Sequence, residues 1–331
     1  MPLHSRIFAT GTLSEPKGVP DPHFALPSTI NWMRALAILV KDLDVGFSGC
    51  IKRYSHVLCR KATQHEENTI LEQLLFALHQ CSAVHALRAV TCKADVSRVG
   101  IVAWYYGIYA AASAMVTAQD GSFQDDHSGT AKVWDQQIST RNLVVAPFDL
   151  RLTSLVKKTA DQELAFLLSC NKFNLSGTPP TNANEARGAI IAYLSGNANY
   201  WRWRVEEDVR GSKEFKVGGF TDFRSNAAKA LRDARLSSRA IGFLHQAIRY
   251  RGKANYREAL FLGYGASIET QLTTYIDDLA TVLDAFLSMA GAFCARRLGP
   301  AVWNEFYKDI EQHRSFTVGP SAVWAAHGDA V

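Results

Sequence analysis

The sequence predicts a mainly α-helical protein, and three observations predict it. Apolar residues recur at three- and four-residue intervals through several long stretches. No alternating strand–helix rhythm calls for a parallel sheet. No internal repeat calls for a solenoid or propeller. With 331 residues and 47% hydrophobic content, the chain is long and apolar enough for a substantial buried core.

Taken in order, residues 1–28 hold five prolines and read as an arm laid on the surface. "STINWMRALAILVKDL" follows as a helix, with Ser28 or Thr29 as its N-cap. Residues 66–92 place Ile70, Leu74, Leu75, Leu78 and Val84 at helical spacing. Asp95 or Ser97 then caps the next helix, whose residues 99–118, "VGIVAWYYGIYAAASAMVTA", carry no charge. Rich in Ala, Tyr, Gly and Ser, this stretch is weakly hydrophobic for a lipid-facing span. It reads as a buried central helix, with no second such span and no membrane association.

A polar loop occupies 119–129, and "TAKVWDQQI" is a short helix. "NLVVAPFDL" is irregular at Pro147. Residues 151–170 read as an amphipathic helix, 174–184 as a loop, and a helix starts at Glu185. Residues 209–223 read as a hairpin or loop, and Arg224–Ile248 as one helical stretch. The last long helix, 270–298, carries Leu272, Ile276, Leu279, Leu283, Phe286, Leu287, Phe293 and Leu298, and Gly299–Pro300 ends it. A short helix over 301–312 and a loose tail complete the chain. The expected organisation is an arm (1–28), a helical domain (29–299) and a C-terminal segment (300–331).

The net charge of +5 is unevenly placed: residues 201–257 hold 14 Lys and Arg against 6 Asp and Glu. Such a region suits an anionic partner, RNA or a nucleotide, although a solvated helical face has the same composition. The N-terminus lacks the apolar core of a signal peptide, and the six cysteines form no C-x-x-C pair. Free thiols and a cytoplasmic location are expected.

Much chemistry is absent. There is no phosphate-binding G-x-x-x-x-G-K loop, no G-x-S-x-G elbow and no H-E-x-x-H pair. "GYGASI" lacks the third glycine of a dinucleotide fingerprint. Asp120, Asp125, Asp126 and His127 share one loop, which reads as an acidic loop rather than a metal site. No metal or cofactor is expected.

Two passages carry a resemblance. In "SRVGIVAWYYGIYAAASAMVTAQDGSFQDDHSG", a pair of aromatics, a third aromatic and a run of small residues lead into a polar loop with a histidine. In "RYRGKANYREALFLGYGASIETQLTTYIDDLATVLDAFLSMAGAF", Arg251, Ala254 and Tyr256 make an R-x-x-A-x-Y arrangement before a final amphipathic helix. Together these resemble HEPN domains over about residues 66–298. The resemblance implies a helical bundle, with 141–240 as a helical or loop insertion. It implies a prokaryotic defence or toxin protein, in many members a metal-independent endoribonuclease whose R-x4-6-H motifs meet at a homodimer interface. Members without the motif bind a partner protein or nucleotide in a larger complex.

The chemistry of that motif is checkable. RNA cleavage without metal needs a base near neutrality and a cation for the phosphate. Arg251-x4 leads to Tyr256, and tyrosine is a poor base at pH 7. Arg239-x5-His245 fits the spacing and is expected on one helix; Arg60-x4-His65 also fits. The candidate catalytic residues are therefore Arg239 and His245, with His127 as a loop histidine able to approach the bundle. Arg249, Arg251, Lys253, Arg257, Tyr256, Arg202 and Arg204 are the candidate RNA contacts. Trp201 and Trp203 stand ~200° apart on a helix and form no single stacking platform. Tyr105, Tyr106 and Tyr109 read as bundle core.

Overall fold

Gly100 and Gly107 lie seven residues apart, hence on one face of a helix, and they let a second helix pack close against that face. A Cβ on Gly107 would stand 2.8 Å from a Leu283 methyl, and one on Gly100 3.1 Å from Ile276 Cδ1. The bare backbone is thus the floor on which Ile276, Leu279 and Leu283 of another helix sit. These are helices α4 (Lys93–Asp120) and α12 (Tyr275–Leu298), joined in the core by α3 (Gln64–Leu87).

The computed structural model describes residues 22–167, 172–255, 257–264 and 268–326. Among them the secondary structure is helical, with one isolated antiparallel bridge, Leu152 to Ile241, and no strand. Around the three central helices lie α1 (Pro22–Asp42), α2 (Phe47–Arg53), α5 (His127–Gln137), α6 (Lys157–Leu167), α7 (Ala183–Gly211), α8 (Lys213–Val217), α9 (Asn226–Ser237), α10 (Phe243–Asn255), α11 (Ile268–Leu272) and α13 (Pro300–His313).

Local chemistry sets the ends of α4. Its first N–H groups are not capped by Asp95 or Ser97 as the sequence predicts. The Glu269 carboxylate of α11 accepts from Lys93 N at 2.8 Å and Ala94 N at 3.1 Å. At the other end Gly121 takes a left-handed φ of 84°. Arg60 donates to Thr117 O and Ala118 O, and Arg297 to Ala118 O and Gln119 O, covering the last carbonyls. Arg60 is therefore a helix-end clasp, tied also to Glu66, and His65 is exposed in the first turn of α3.

Helix α1 begins at Pro22, ahead of Ser28, and contains Pro27. The expected helix 270–298 breaks after Leu272, where Thr273 Oγ1 donates to Thr270 O and draws the backbone into a turn. Arg224–Ile248 is two helices, α9 and α10, parted by the bridge residue Ile241. Residues 209–223 hold the end of α7 and the short α8, with no hairpin. The tail is not loose through 326: Trp324 is 3% exposed, and its Nε1 donates to Leu287 O at 2.8 Å.

The stretch 141–240 shares the core. Tyr193 of α7 stacks on Trp32 of α1 with ring centroids 4.3 Å apart, and Trp32 in turn meets Trp104, Phe243 and Tyr250. The helical stretches at 93–120 and 269–298 are both long and apolar enough to cross a membrane by length and composition, where the sequence predicts one. Both are mostly buried against the rest of the chain.

Candidate functional site

The middle of α4 presents Tyr105, Tyr106 and Tyr109, spaced so that all three lean toward one side of the helix. The loop after Gly121 doubles back over them, and the Tyr109 hydroxyl donates to Gln124 O at 3.3 Å. Asp126 ends the loop as an N-cap, its Oδ1 accepting from Ser128 N at 2.9 Å and Gly129 N at 2.8 Å. That cap fixes His127 as the first residue of α5 and sets its ring among the tyrosines. The centroid separations are 5.3 Å to Tyr105, 5.7 Å to Tyr106 and 4.4 Å to Tyr109, all edge-on.

Helix α10 closes the site from another direction. Arg251 NH1 donates to His127 Nε2 at 2.9 Å, a contact between residues 124 apart in sequence. Its guanidinium carbon also lies 4.8 Å from the Tyr105 ring centroid, a cation–π contact. Because arginine only donates, Nε2 accepts and the ring proton sits on Nδ1. Burial first, then the Arg251 cation, hold the His127 imidazole below its ordinary pKa against the opposing pull of Asp126. The ring is neutral at pH 7. Burial likewise pushes the Tyr105 hydroxyl up, Arg251 opposing.

Three polar groups here are buried and lack a partner among the described residues: His127 Nδ1, Arg251 Nε and the Tyr105 hydroxyl. Such groups are costly when left unmade and recur at functional sites. All three can donate, so the site is matched to an anionic or carbonyl oxygen. The three atoms are covered by the surrounding chain, with Tyr106 beside the His127 ring 39% exposed.

The expected pair Arg239 and His245 is not on one helix. Arg239 is exposed in the link after α9, and His245 stands in the first turn of α10. His245 Nδ1 accepts from Gly242 N at 3.3 Å, so the ring serves as a cap for its own helix. Burial holds its pKa down, Asp135 opposing, with Arg239 and Arg151 adding to the fall. Asp135 is itself taken by Arg151 through contacts of 3.0 and 2.8 Å.

The basic strip divides. Lys253 is 7% exposed, its Nζ donating to Ser28 Oγ and Thr29 Oγ1 beside the Tyr193 ring, so its expected role as a surface phosphate contact does not hold. Arg249 lies over the Tyr200 ring at 4.0 Å and donates to Gly196 O. Arg202 donates to Leu155 O and Asn199 Oδ1, and Arg204 is exposed. Tyr256 lies outside the described residues, as does the Arg257 side chain. The acidic loop does not converge on a metal among the described residues: Asp120 accepts from Ser122 and Asp126 caps α5.

Arg251 and His127 were separately legible as candidates, and the fold joins them. The three tyrosines, read as core, form the cage around the histidine. The signal that could have found them is their spacing followed by a loop short enough to return His127 to the same helix. Comparisons of the chain with family models, with curated proteins and with solved structures find no match.

Proposed function

We propose that this chain acts on RNA through His127 and Arg251, as a HEPN-like, metal-independent endoribonuclease of a prokaryotic defence or toxin system working in the cytoplasm. The observation that carries the reading is the 2.9 Å contact between a neutral imidazole and a guanidinium in an aromatic cage. A phosphate of the RNA takes Arg251, which frees His127 Nε2 to accept the proton of the adjacent 2′-hydroxyl; the 2′-oxygen bonds to phosphorus as the P–O5′ bond breaks, and the departing 5′-oxygen takes a proton from water. The cation then holds the charge that develops on the phosphorus oxygens. Exposed Arg204, with Arg249 and Arg202 at the surface of α10 and α7, extends the contact along the strand.

The test is incubation of the purified chain with total RNA in EDTA, beside His127→Ala, Arg251→Ala and His245→Ala. Loss of cleavage by at least about 100-fold in the first two, with His245→Ala near wild type, is the expected result. Cleavage unchanged in either of the first two overturns the assignment.

One observation favours a second reading. In the described state His127 Nε2 is already taken by Arg251, which suits a non-catalytic module that holds a nucleotide or partner protein. Nucleotide binding that needs Arg251, without cleavage of any RNA, supports that reading over the first.

A further inference from the structure

On the other side of α4 lies a second cluster. Gly107 faces Gln80 and Leu283, the chain neighbours of Cys81 and Asp284, while Tyr105 and Tyr109 are each turned ~200° from Gly107. Cys81 and His85 stand four apart on α3, hence on one face, and Asp284 approaches from α12. Cys81 Sγ is 3.1 Å from Asp284 Oδ1. His85 Nε2 is 2.9 and 3.1 Å from the two oxygens of the same carboxylate. Among the described residues this is the one group of three metal-ligating side chains whose ligand atoms all lie within 4.8 Å of one another.

We propose that Cys81, His85 and Asp284 bind a zinc ion, with the fourth position left to water. The inference does not depend on the ribonuclease reading. One thiolate, one imidazole and one carboxylate are a donor set that favours zinc over magnesium or calcium. Cys81 is buried, whereas the side chains of His85 and Asp284 keep 23% and 33% of their exposure, so the open coordination position faces solvent. Tetrahedral zinc places such ligand atoms roughly 3.3–3.6 Å apart. The present hydrogen-bonded separations therefore widen by about 0.5 Å, which side-chain rotation supplies.

Metal binding takes Cys81 as the thiolate, and its Sγ proton leaves to solvent. His85 coordinates through Nε2 and carries its one ring proton on Nδ1. That exchange gives up the long 3.4 Å contact from Arg88 NH1 to His85 Nδ1. Arg88 remains anchored through Nε to Asp277 at 2.6 Å. Without an ion the thiol is held protonated by its burial and by the Asp284 charge, so Cys81 by itself is no nucleophile.

The experiment strips the full-length chain with EDTA, dialyses it, and titrates zinc by calorimetry, with cobalt as the spectroscopic probe. Expected are one ion per chain and a thiolate-to-cobalt charge-transfer band. Cys81→Ser should remove the band, and Asp284→Asn and His85→Gln should each weaken binding at least tenfold, with the helical circular dichroism unchanged. Asp284→Asn keeps the shape of the carboxylate and serves as the readout if a Cys81 variant does not fold. No zinc binding, affinity indifferent to Asp284→Asn, or a cobalt spectrum without the thiolate band overturns the site. Any of these leaves the three side chains as a hydrogen-bonded tie between α3 and α12.

Discussion

At the scale of single residues, the contact between His127 and Arg251 couples a titration to a cation. Arg251 is the second of the two forces that hold the imidazole down, after burial. Replacing it with methionine, which keeps much of the packing, should raise the His127 pKa, as followed by NMR of the ring protons. An unchanged or lowered value would mean the cation is not felt. The same depression links to stability. The unfolded state binds the proton more readily than the native state, so native stability is held above the unfolded histidine value of about 6.5 and falls as pH drops below it. His245, depressed in the same direction, contributes over the same window. Thermal melts from pH 7 to pH 5 should show a falling Tm, with a shallower fall in His127→Asn.

Legibility at this scale was uneven. His127 and Arg251 are conspicuous residues, but 124 residues separate them, and no local spacing rule pairs them. Arg239 and His245 satisfy the spacing, but a break that the sequence signals only weakly at Ile241–Gly242 puts them in different elements, near enough for the Arg239 charge to act on His245. Cys81 and His85 share a helix face, but Asp284 comes from 203 residues beyond Cys81.

At the scale of elements, α4 carries the tyrosine cage, and its glycine face packs against α3 and α12, the helices that hold the second cluster. Its existence was plain from its uncharged run, because a run of that length without charge is either a buried helix or a membrane span. Its capping was not plain, since Glu269 arrives from a different part of the chain and the sequence offers Asp95 and Ser97 nearer by. Glu269→Gln should lower Tm modestly and chiefly loosen the start of α4, seen as faster amide exchange at the helix's first turns; unchanged exchange there counts against the cap. The middle of α4 is less forgiving. Gly107→Val places a branched side chain where a Leu283 methyl already sits at 2.8 Å. The expected cost is about 1–3 kcal/mol in urea unfolding, as for other overpacked cores. A neutral result would mean that α12 can shift away from α4 at no cost.

At the scale of the whole molecule, the helical class followed from periodicity, because apolar spacing is dictated by the helix itself. What periodicity does not report is which apolar faces meet. Trp32 and Tyr193 stack across what reads as a boundary between a bundle and an insertion, and Trp324 closes over α12 from a segment read as a tail. Gly291 makes room for that indole, since a Cβ there would stand 2.2 Å from Trp324 Nε1. Trp324→Ala should therefore cost about 3 kcal/mol or more and leave unfolding a single transition. A separate early transition would show that the C-terminal segment is not part of the common core.

A double-mutant cycle on the cleavage rate in EDTA measures whether His127 and Arg251 act as one unit on RNA. If they do, His127→Ala/Arg251→Ala is no slower than the worse of the two single variants, because each alone already dismantles the pair. Losses that simply add, or a wild-type chain that cleaves no RNA, would contradict it.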